Sequence, residues 1–247
     1  LFRSNNEKGF FEDIEINALN IQALHAIGSE WFYLVPITSH DVQFLRENGY
    51  ILQAVELLRK KIESANIFAF KDPRIAKISP FWNQVIEHLQ LDVSYVIALR
   101  HPLSVVKSLE KRDGFFPEHS YFLWLDHVLE SLRGSTGKSR VLVDYDRLIK
   151  SPEIELSRLA DAFHLHLNHI ELEDYKNNFL DPALRHTVYS PEDLLLDAAC
   201  PPSVYEVFTK LLGVASGEVS LDDPSLQREI AALIAEFDRL KTIFNLV

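Results

Sequence analysis

Apolar residues recur at every third or fourth position along much of this chain, which is the spacing of one face of an α-helix. A helix is predicted wherever this spacing continues for about two turns or more, and Gly or Pro residues mark several of its ends. The predicted helices cover residues 14–27, 41–64, 80–89, 103–111, 119–132, 152–163 and 227–244.

Three short runs rich in apolar residues are typical of buried strands instead. They lie at residues 67–70, 93–99 and 140–145, with predicted helices between them. The alternation of strand and helix predicts an α/β fold whose strands are parallel and joined by right-handed crossovers. From about residue 165 onward the pattern is helix and loop only. We therefore predict a core domain at residues 1–165 and a helical C-terminal extension packed on it at residues 166–247.

Polar residues follow each predicted strand. Lys-Asp-Pro-Arg (residues 71–74) follows the first, Arg100 follows the second, and Asp-Tyr-Asp (residues 144–146) ends the third. Ligands of parallel α/β sheets bind outside the carboxyl ends of the strands. Because several of these residues are cationic, and Arg grips phosphate with two parallel hydrogen bonds, an anionic ligand is expected there.

Arg100 and Ser108 allow two interpretations. Ser108 falls about two turns into the helix after the strand, on the face turned toward the strand end, so an Arg fork and a hydroxyl could hold one phosphate. Alternatively, Arg100 pairs with an acidic neighbour and Ser108 is an ordinary helical serine.

Composition narrows the function classes. The 247 residues carry a net charge of −11, which argues against a nucleic-acid-binding role. No apolar run has the length of a membrane span, and no His or Cys spacing predicts a metal site. The single cysteine, Cys200, favours a reducing compartment such as the cytoplasm. Methionine is absent even at position 1, which indicates a fragment or a sequence from which modified methionines are missing.

The span from residue 71 to residue 165 resembles the core of the sulfotransferases that use 3′-phosphoadenylyl sulfate (PAPS). Arg-His-Pro-Leu-Ser-Val-Val-Lys-Ser (residues 100–108) resembles the family's motif for the 3′-phosphate. Val-Asp-Tyr-Asp-Arg-Leu (143–148) resembles its Tyr-Glu/Asp-x-Leu strand end, and Phe-Lys-Asp-Pro-Arg (70–74) its Lys-bearing segment beside the sulfuryl group. Residues 5–12 resemble the acceptor-side segment of bacterial members. Each motif is weak alone, but the four occur in the family's order.

The resemblance implies a P-loop-NTPase-like three-layer α/β/α core with a central parallel sheet. It also implies transfer of a sulfuryl group from PAPS to a hydroxyl or amine of a small-molecule, glycan or lipid acceptor. The product would be adenosine 3′,5′-bisphosphate (PAP), and no metal would take part. The oligomeric state stays open.

The resemblance also implies roles for individual residues. Lys71 would stabilise charge on the bridging oxygen, unless it pairs with Asp72, and Arg74 would reach phosphate or close a salt bridge. Glu12 is the expected general base, with Asp13 as the second choice. The nucleotide would be bound by the 3′-phosphate ligands Arg100, Ser108 and Arg185 and by Tyr145 near the adenine.

The chain departs from the family at its start. Members begin with a strand and a Gly-rich loop, whose backbone N–H groups cradle the 5′-phosphosulfate, and residues 1–12 supply neither. We expect that the loop precedes Leu1 in the full-length protein. The alternative is a non-catalytic binding protein with a sulfotransferase-like core.

A third function class is an ATP-dependent, kinase-like transferase. It would need a Walker loop, and the Gly-Ser-Thr-Gly run at residues 134–137 lacks the spacing. Asp72 and Asp144 would be its candidate metal carboxylates.

Overall fold

The computed structural model describes residues 11–180 and 188–244. The chain is of mixed helix and strand structure, 65% helical, with a small parallel sheet of two strands, β1 (Ser94–Leu99) and β2 (Ser139–Asp144). This confirms the general α/β class. Thirteen α-helices lie in the described ranges, and a π-helical turn follows the tenth at Tyr175–Phe179. The helices are α1 (Ile14–Ala26), α2 (Ser39–Glu47), α3 (Tyr50–Ile62), α4 (Arg74–Lys77), α5 (Ser79–Leu89), α6 (Pro102–Asp113), α7 (Pro117–Gly134), α8 (Tyr145–Lys150), α9 (Pro152–Ala162), α10 (His169–Asp174), α11 (Glu192–Leu196), α12 (Pro202–Ser216) and α13 (Pro224–Phe244).

The chain divides into two compact units. Among the described residues, the first contains 11–93, 126–136 and 235–244, and the second contains 94–125, 137–180 and 188–234. This division does not test the domain boundary predicted at residue 165, which stays a prediction.

Helices α1, α2, α3 and α5 form the core of the first unit. Their apolar faces meet around Leu24, Leu45 and Phe81, all of which are buried. The end of α7 approaches the start of α5 closely, because a Cβ on Gly134 would lie only 2.6 Å from the Cβ of Ser79. Gly134 therefore has a packing role in the first unit.

The two-stranded sheet organises the second unit. Strands β1 and β2 are parallel, with Leu99 opposite Asp144 at their carboxyl ends, as the strand–helix–strand order predicts. Helices α8, α9 and α12 pack against β2, and Phe208 of α12 is buried there. The second and third predicted strands are thus confirmed.

The first predicted strand, at residues 67–70, is wrong: the described part of the chain contains no strand there. Phe68 and Phe70 stack on each other with their ring centroids 5.9 Å apart, and Phe70 contacts Trp82 at 5.2 Å. Ile67 is 69% exposed. Phe68 and Phe70 therefore pack against the helical core of the first unit, and this packing needs no pairing with another strand.

The predicted helix over residues 41–64 is two helices, α2 and α3. Gly49 separates them with φ of 83°, a left-handed conformation that favours glycine. The other predicted helices agree within a few residues, although Ser79 lies inside α5 and does not cap it.

A buried network of charged side chains lies inside the first unit. Asp126 of α7 forms an ion pair with Lys241 of α13 at 2.5 Å and accepts a hydrogen bond from Lys77 of α4 at 3.4 Å, and all three side chains are almost fully buried. Burial lowers the pKa of Lys77, which also donates to the backbone oxygen of Tyr33. Burial alone would lower the pKa of Lys241 too, but Asp126 and Glu130 outweigh it and raise that pKa. The network joins three helices through one carboxylate.

We predict that Asp126→Ala destabilises the protein by about 3–5 kcal/mol, because buried Lys77 loses its carboxylate partner and buried Lys241 loses one of its partners. Urea unfolding followed by circular dichroism measures this change. The control is Glu110→Ala, which breaks the half-exposed Lys107–Glu110 pair and is expected to cost about 0–1 kcal/mol. Equal effects of the two substitutions would contradict the prediction.

Candidate functional site

Strand pairing places two of the predicted site residues side by side in the second unit. Because Leu99 is opposite Asp144, the next residues, Arg100 and Tyr145, leave the sheet at the same edge. The Arg100 guanidinium carbon lies 5.1 Å from the centroid of the Tyr145 ring, a cation–π contact. We call Arg100 and Tyr145 the arginine cluster.

The backbone of Arg100 is held while its side chain is exposed. Trp124 of α7 donates its indole N–H to the Arg100 backbone oxygen at 3.0 Å, and the indole itself is buried. Within the described residues the Arg100 guanidinium forms no ion pair, so the acidic-neighbour interpretation receives no support. The guanidinium is therefore accessible to a ligand.

Ser108 lies on an exposed position of α6. In the described ranges no hydrogen bond joins its hydroxyl to Arg100. The structure thus places both residues on accessible surface of the second unit, and it does not bring them into contact. The shared phosphate site stays a prediction.

The first unit brings together Lys71 and Glu12, which are 59 positions apart in sequence. The Lys71 ammonium donates to Glu12 Oε1 at 3.2 Å, and the two side chains are 58% and 10% exposed. The candidate cation, Lys71, and the candidate base, Glu12, are therefore paired, and the lysine side chain is the more exposed of the two. Such a half-exposed pair contributes about 0–1 kcal/mol.

Asp72 is the buried centre of this group. Its Oδ2 accepts from the side-chain amides of Asn17 at 3.1 Å and Asn20 at 3.0 Å. Its Oδ1 accepts from the Arg74 backbone N–H at 2.9 Å and from the guanidinium at 3.0 Å. We call Glu12, Asn17, Asn20, Lys71, Asp72 and Arg74 the lysine cluster.

These contacts bear on two alternatives that the sequence left open. Arg74 closes a salt bridge with Asp72, and its side chain is only 17% exposed. Lys71 pairs with Glu12, while Asp72 is occupied by Arg74 and the two asparagines. The assignment of Arg74 to phosphate binding stays a prediction.

Asp13, the second choice for the base, has another role. Its carboxylate caps α1 by accepting from the backbone N–H groups of Glu15 and Ile16, both at 3.0 Å. Burial pushes the pKa of Asp13 up, but Lys61 at 2.7 Å and the two N–H groups outweigh it, so the pKa is lowered. A carboxylate with a lowered pKa is a poorer proton acceptor. Glu12 remains the better candidate.

Asn17 and Asn20 are not among the candidate residues that the sequence motifs predict. Both are amides on the apolar face of α1, between the buried residues Ile16, Leu19 and Ala23. A polar residue on a buried helical face needs hydrogen-bond partners, so this spacing was a signal for a polar network. The spacing alone does not indicate which residues the two amides contact.

The remaining predicted residues divide between described and undescribed parts. Arg185 and the segment at residues 5–10 lie outside the described residues. Asp144 caps α8 by accepting from the Arg147 N–H at 2.8 Å, and burial raises its pKa. Burial also raises the pKa of Cys200 to about 11, which keeps it a thiol.

The described residues contain no cluster of three or more His, Cys, Asp or Glu side chains that could hold a metal ion. Across the same residues, no helix is both long and apolar enough to cross a membrane. Two surface hollows of about 540 and 520 Å³ in the first unit contain none of the predicted site residues.

No protein-family model, curated protein or solved structure matches this chain. The candidate site therefore depends on the geometry of the two clusters and on the sequence motifs alone.

His101, between the arginine and α6, is a buried neutral histidine. Its Nδ1 accepts from the Leu103 N–H at 3.2 Å, and its Nε2 lies 3.0 Å from the Ser190 backbone oxygen. Nδ1 must therefore be unprotonated and Nε2 must carry the proton. Burial lowers the pKa of His101 below its usual 6.5. His101 is thus structural, as the helix start requires.

We predict that the free energy of unfolding decreases as the pH falls below about 6.5, because the unfolded chain then binds a proton that folded His101 excludes. The loss amounts to about 1.4 kcal/mol per pH unit between the two pKa values. Urea unfolding from about pH 8 to about pH 5 measures it. His101→Asn keeps a cap acceptor and should flatten this part of the profile, whereas His88→Asn, at an exposed position, should not. An unchanged slope in His101→Asn would contradict the assignment.

Proposed function

We propose that this protein is a PAPS-dependent sulfotransferase that transfers a sulfuryl group to a hydroxyl or amine acceptor. The observation that carries the proposal is the pairing of Lys71 with Glu12 at 3.2 Å. These are the two residues that the family resemblance implies for charge stabilisation and for proton removal. The finer fold, a P-loop-like three-layer core, belongs to the same proposal, as does a cytoplasmic location.

The chemistry that we propose is an in-line displacement at sulfur. The acceptor oxygen or nitrogen forms a bond to sulfur while the bond from sulfur to the bridging oxygen of PAPS breaks. The acceptor proton passes to the Glu12 carboxylate, and the electron pair of the broken bond leaves on the 5′-phosphate of PAP. The Lys71 ammonium stabilises the charge that develops on this leaving oxygen.

The resting ion pair suits these roles. A half-exposed ammonium exchanges one anionic partner for another at little cost, so the donor can take over Lys71 from Glu12. Glu12 would then keep its second hydrogen bond, from Asn17 at 3.0 Å. Binding of PAPS would thus separate Lys71 from the Glu12 carboxylate, which could then accept a proton.

The arginine cluster supports the nucleotide half of the proposal. An exposed Arg100 with no ion pair among the described residues can form a bidentate contact with the 3′-phosphate of the donor. Tyr145 beside it would contact the adenine, and Ser108 would add a hydroxyl to the phosphate. Arg185, outside the described residues, stays a candidate for the same phosphate. The alternative, a non-catalytic nucleotide-binding protein, uses the same cluster without transfer.

We predict that the full-length protein binds PAP and that Arg100→Ala weakens binding about 10- to 100-fold, because one charge-assisted phosphate contact is lost. Ser108→Ala should weaken it about 2- to 10-fold. Isothermal titration calorimetry measures both. Lys111→Ala removes a positive charge from another exposed position of α6 and should change binding less than Arg100→Ala. Equal affinity of the wild-type protein for PAP and for 5′-AMP would show that no 3′-phosphate is recognised.

We predict that Glu12→Gln lowers the rate of sulfuryl transfer about 10²- to 10⁴-fold, because the general base is lost, and leaves PAP affinity unchanged. Transfer from ³⁵S-labelled PAPS to a panel of phenols, sugars and lipid alcohols measures the rate. Glu15→Gln, on the first turn of α1, is the matched control. Transfer by Glu12→Gln at the wild-type rate would overturn the base assignment. PAP binding by the wild type without any transfer would favour the non-catalytic alternative.

A further inference from the structure

The side-chain amide of Asn17 bridges two carboxylates. Its Nδ2 donates to Glu12 Oε2 at 3.0 Å and to Asp72 Oδ2 at 3.1 Å, and the residue is 7% exposed. An amide nitrogen has two N–H donors, so both are used, one for each carboxylate. Because carboxylates only accept, the orientation of the amide is determined by its partners.

Asp72, one of the two carboxylates that Asn17 contacts, is connected to the hydrophobic core through Asn20. Asn20 donates to Asp72 at 3.0 Å, and its own oxygen accepts from the Trp82 indole N–H at 2.9 Å. Indole nitrogen is a donor only, which fixes the Asn20 amide in turn. Trp82 is 2% exposed and packs in the core of the first unit. Asp72 is thereby held rigidly, and Asn17 transmits that position to Glu12.

We propose that Asn17 is the positioning residue of the Glu12 carboxylate, holding it in place from the side opposite Lys71. The inference rests on the proposed function for its catalytic consequence, but the contact itself can be tested without activity. Asn17 occupies Oε2 while Lys71 occupies Oε1. When the donor draws Lys71 away, Asn17 still orients the base toward the acceptor.

Charged groups from three elements surround this contact. Lys71 and Asp72 come from the loop before α4, and Arg74 from α4 itself. Asp13, next to Glu12, is paired with Lys61 of α3 at 2.7 Å. An added carboxylate at position 17 would face Glu12 and Asp72 directly, and repulsion would favour a protonated form among the three.

Nuclear magnetic resonance of the ¹⁵N-labelled full-length protein tests the contact. The Asn17 side-chain amide signals, assigned in the wild-type protein by triple-resonance spectra with added ¹³C labelling, are expected to shift in Glu12→Gln. They are expected to stay in place in Glu15→Gln, which alters a neighbouring carboxylate that pairs with Lys61. Unshifted signals in Glu12→Gln would overturn the inference. This arm changes a residue near the surface, so it holds even if Asn17 variants fail to fold.

Kinetics test the consequence. Asn17→Asp should lower kcat about 10-fold or more at neutral pH and move the acidic limb of its pH profile upward by about 1–3 pH units. Asn17→Ala should have a smaller effect in the same direction, and both should leave PAP affinity within about 2-fold of wild type. Asn48→Ala, which alters an exposed amide at the end of α2, is the control.

The outcomes separate the two proposals. Folded Asn17 variants with wild-type kcat and pH profile would overturn the positioning role and leave the proposed function intact. Wild-type protein that neither binds PAP nor transfers sulfuryl would overturn the proposed function, while the amide signals still report whether Asn17 holds Glu12.

Discussion

The burial of the Asp72 carboxylate is the constraint on which the candidate site depends. A buried charge is costly unless hydrogen bonds compensate it, and four N–H groups from Asn17, Asn20 and Arg74 do so. These donors tie α1 to the loop before α4. Since Lys71 immediately precedes Asp72, fixing the buried residue also fixes where the exposed lysine leaves the loop.

In the second unit, contacts of the backbone determine where the exposed Arg100 side chain lies. Parallel pairing of β1 with β2 brings Arg100 beside Tyr145, and the Trp124 indole holds the Arg100 carbonyl. The indole therefore holds the Arg100 backbone, while the guanidinium lies over the Tyr145 ring. A buried carboxylate in the first unit and a hydrogen-bonded backbone oxygen in the second thus help to position an exposed cation.

Comparison of the lysine cluster with the Asp126 network shows how structural and chemical roles differ here. Asp126, Lys77 and Lys241 are each at most 3% exposed in their side chains, and the two lysines also contact Glu130 and the Tyr33 backbone oxygen, so their charges are compensated within the first unit. The lysine cluster has the same kind of buried carboxylate in Asp72, but it ends at Lys71, which is 58% exposed. The two networks therefore differ in the solvent exposure of their lysine side chains.

The sequence alone indicated the strands β1 and β2, their parallel pairing and most of the longer helices, because these follow from periodicity within about ten residues and from element order. It did not predict α4, α8, α10, α11 and α12. It also indicated Lys71, Glu12 and Arg100 as candidates. Only the tertiary structure decided that residues 67–70 cover helices and form no strand, and that Arg74 pairs with Asp72. The partners of Asn17 were likewise decided there, since Asn17 and Asp72 are 55 positions apart. Contacts over such separations arise from packing of whole elements, which local patterns do not encode.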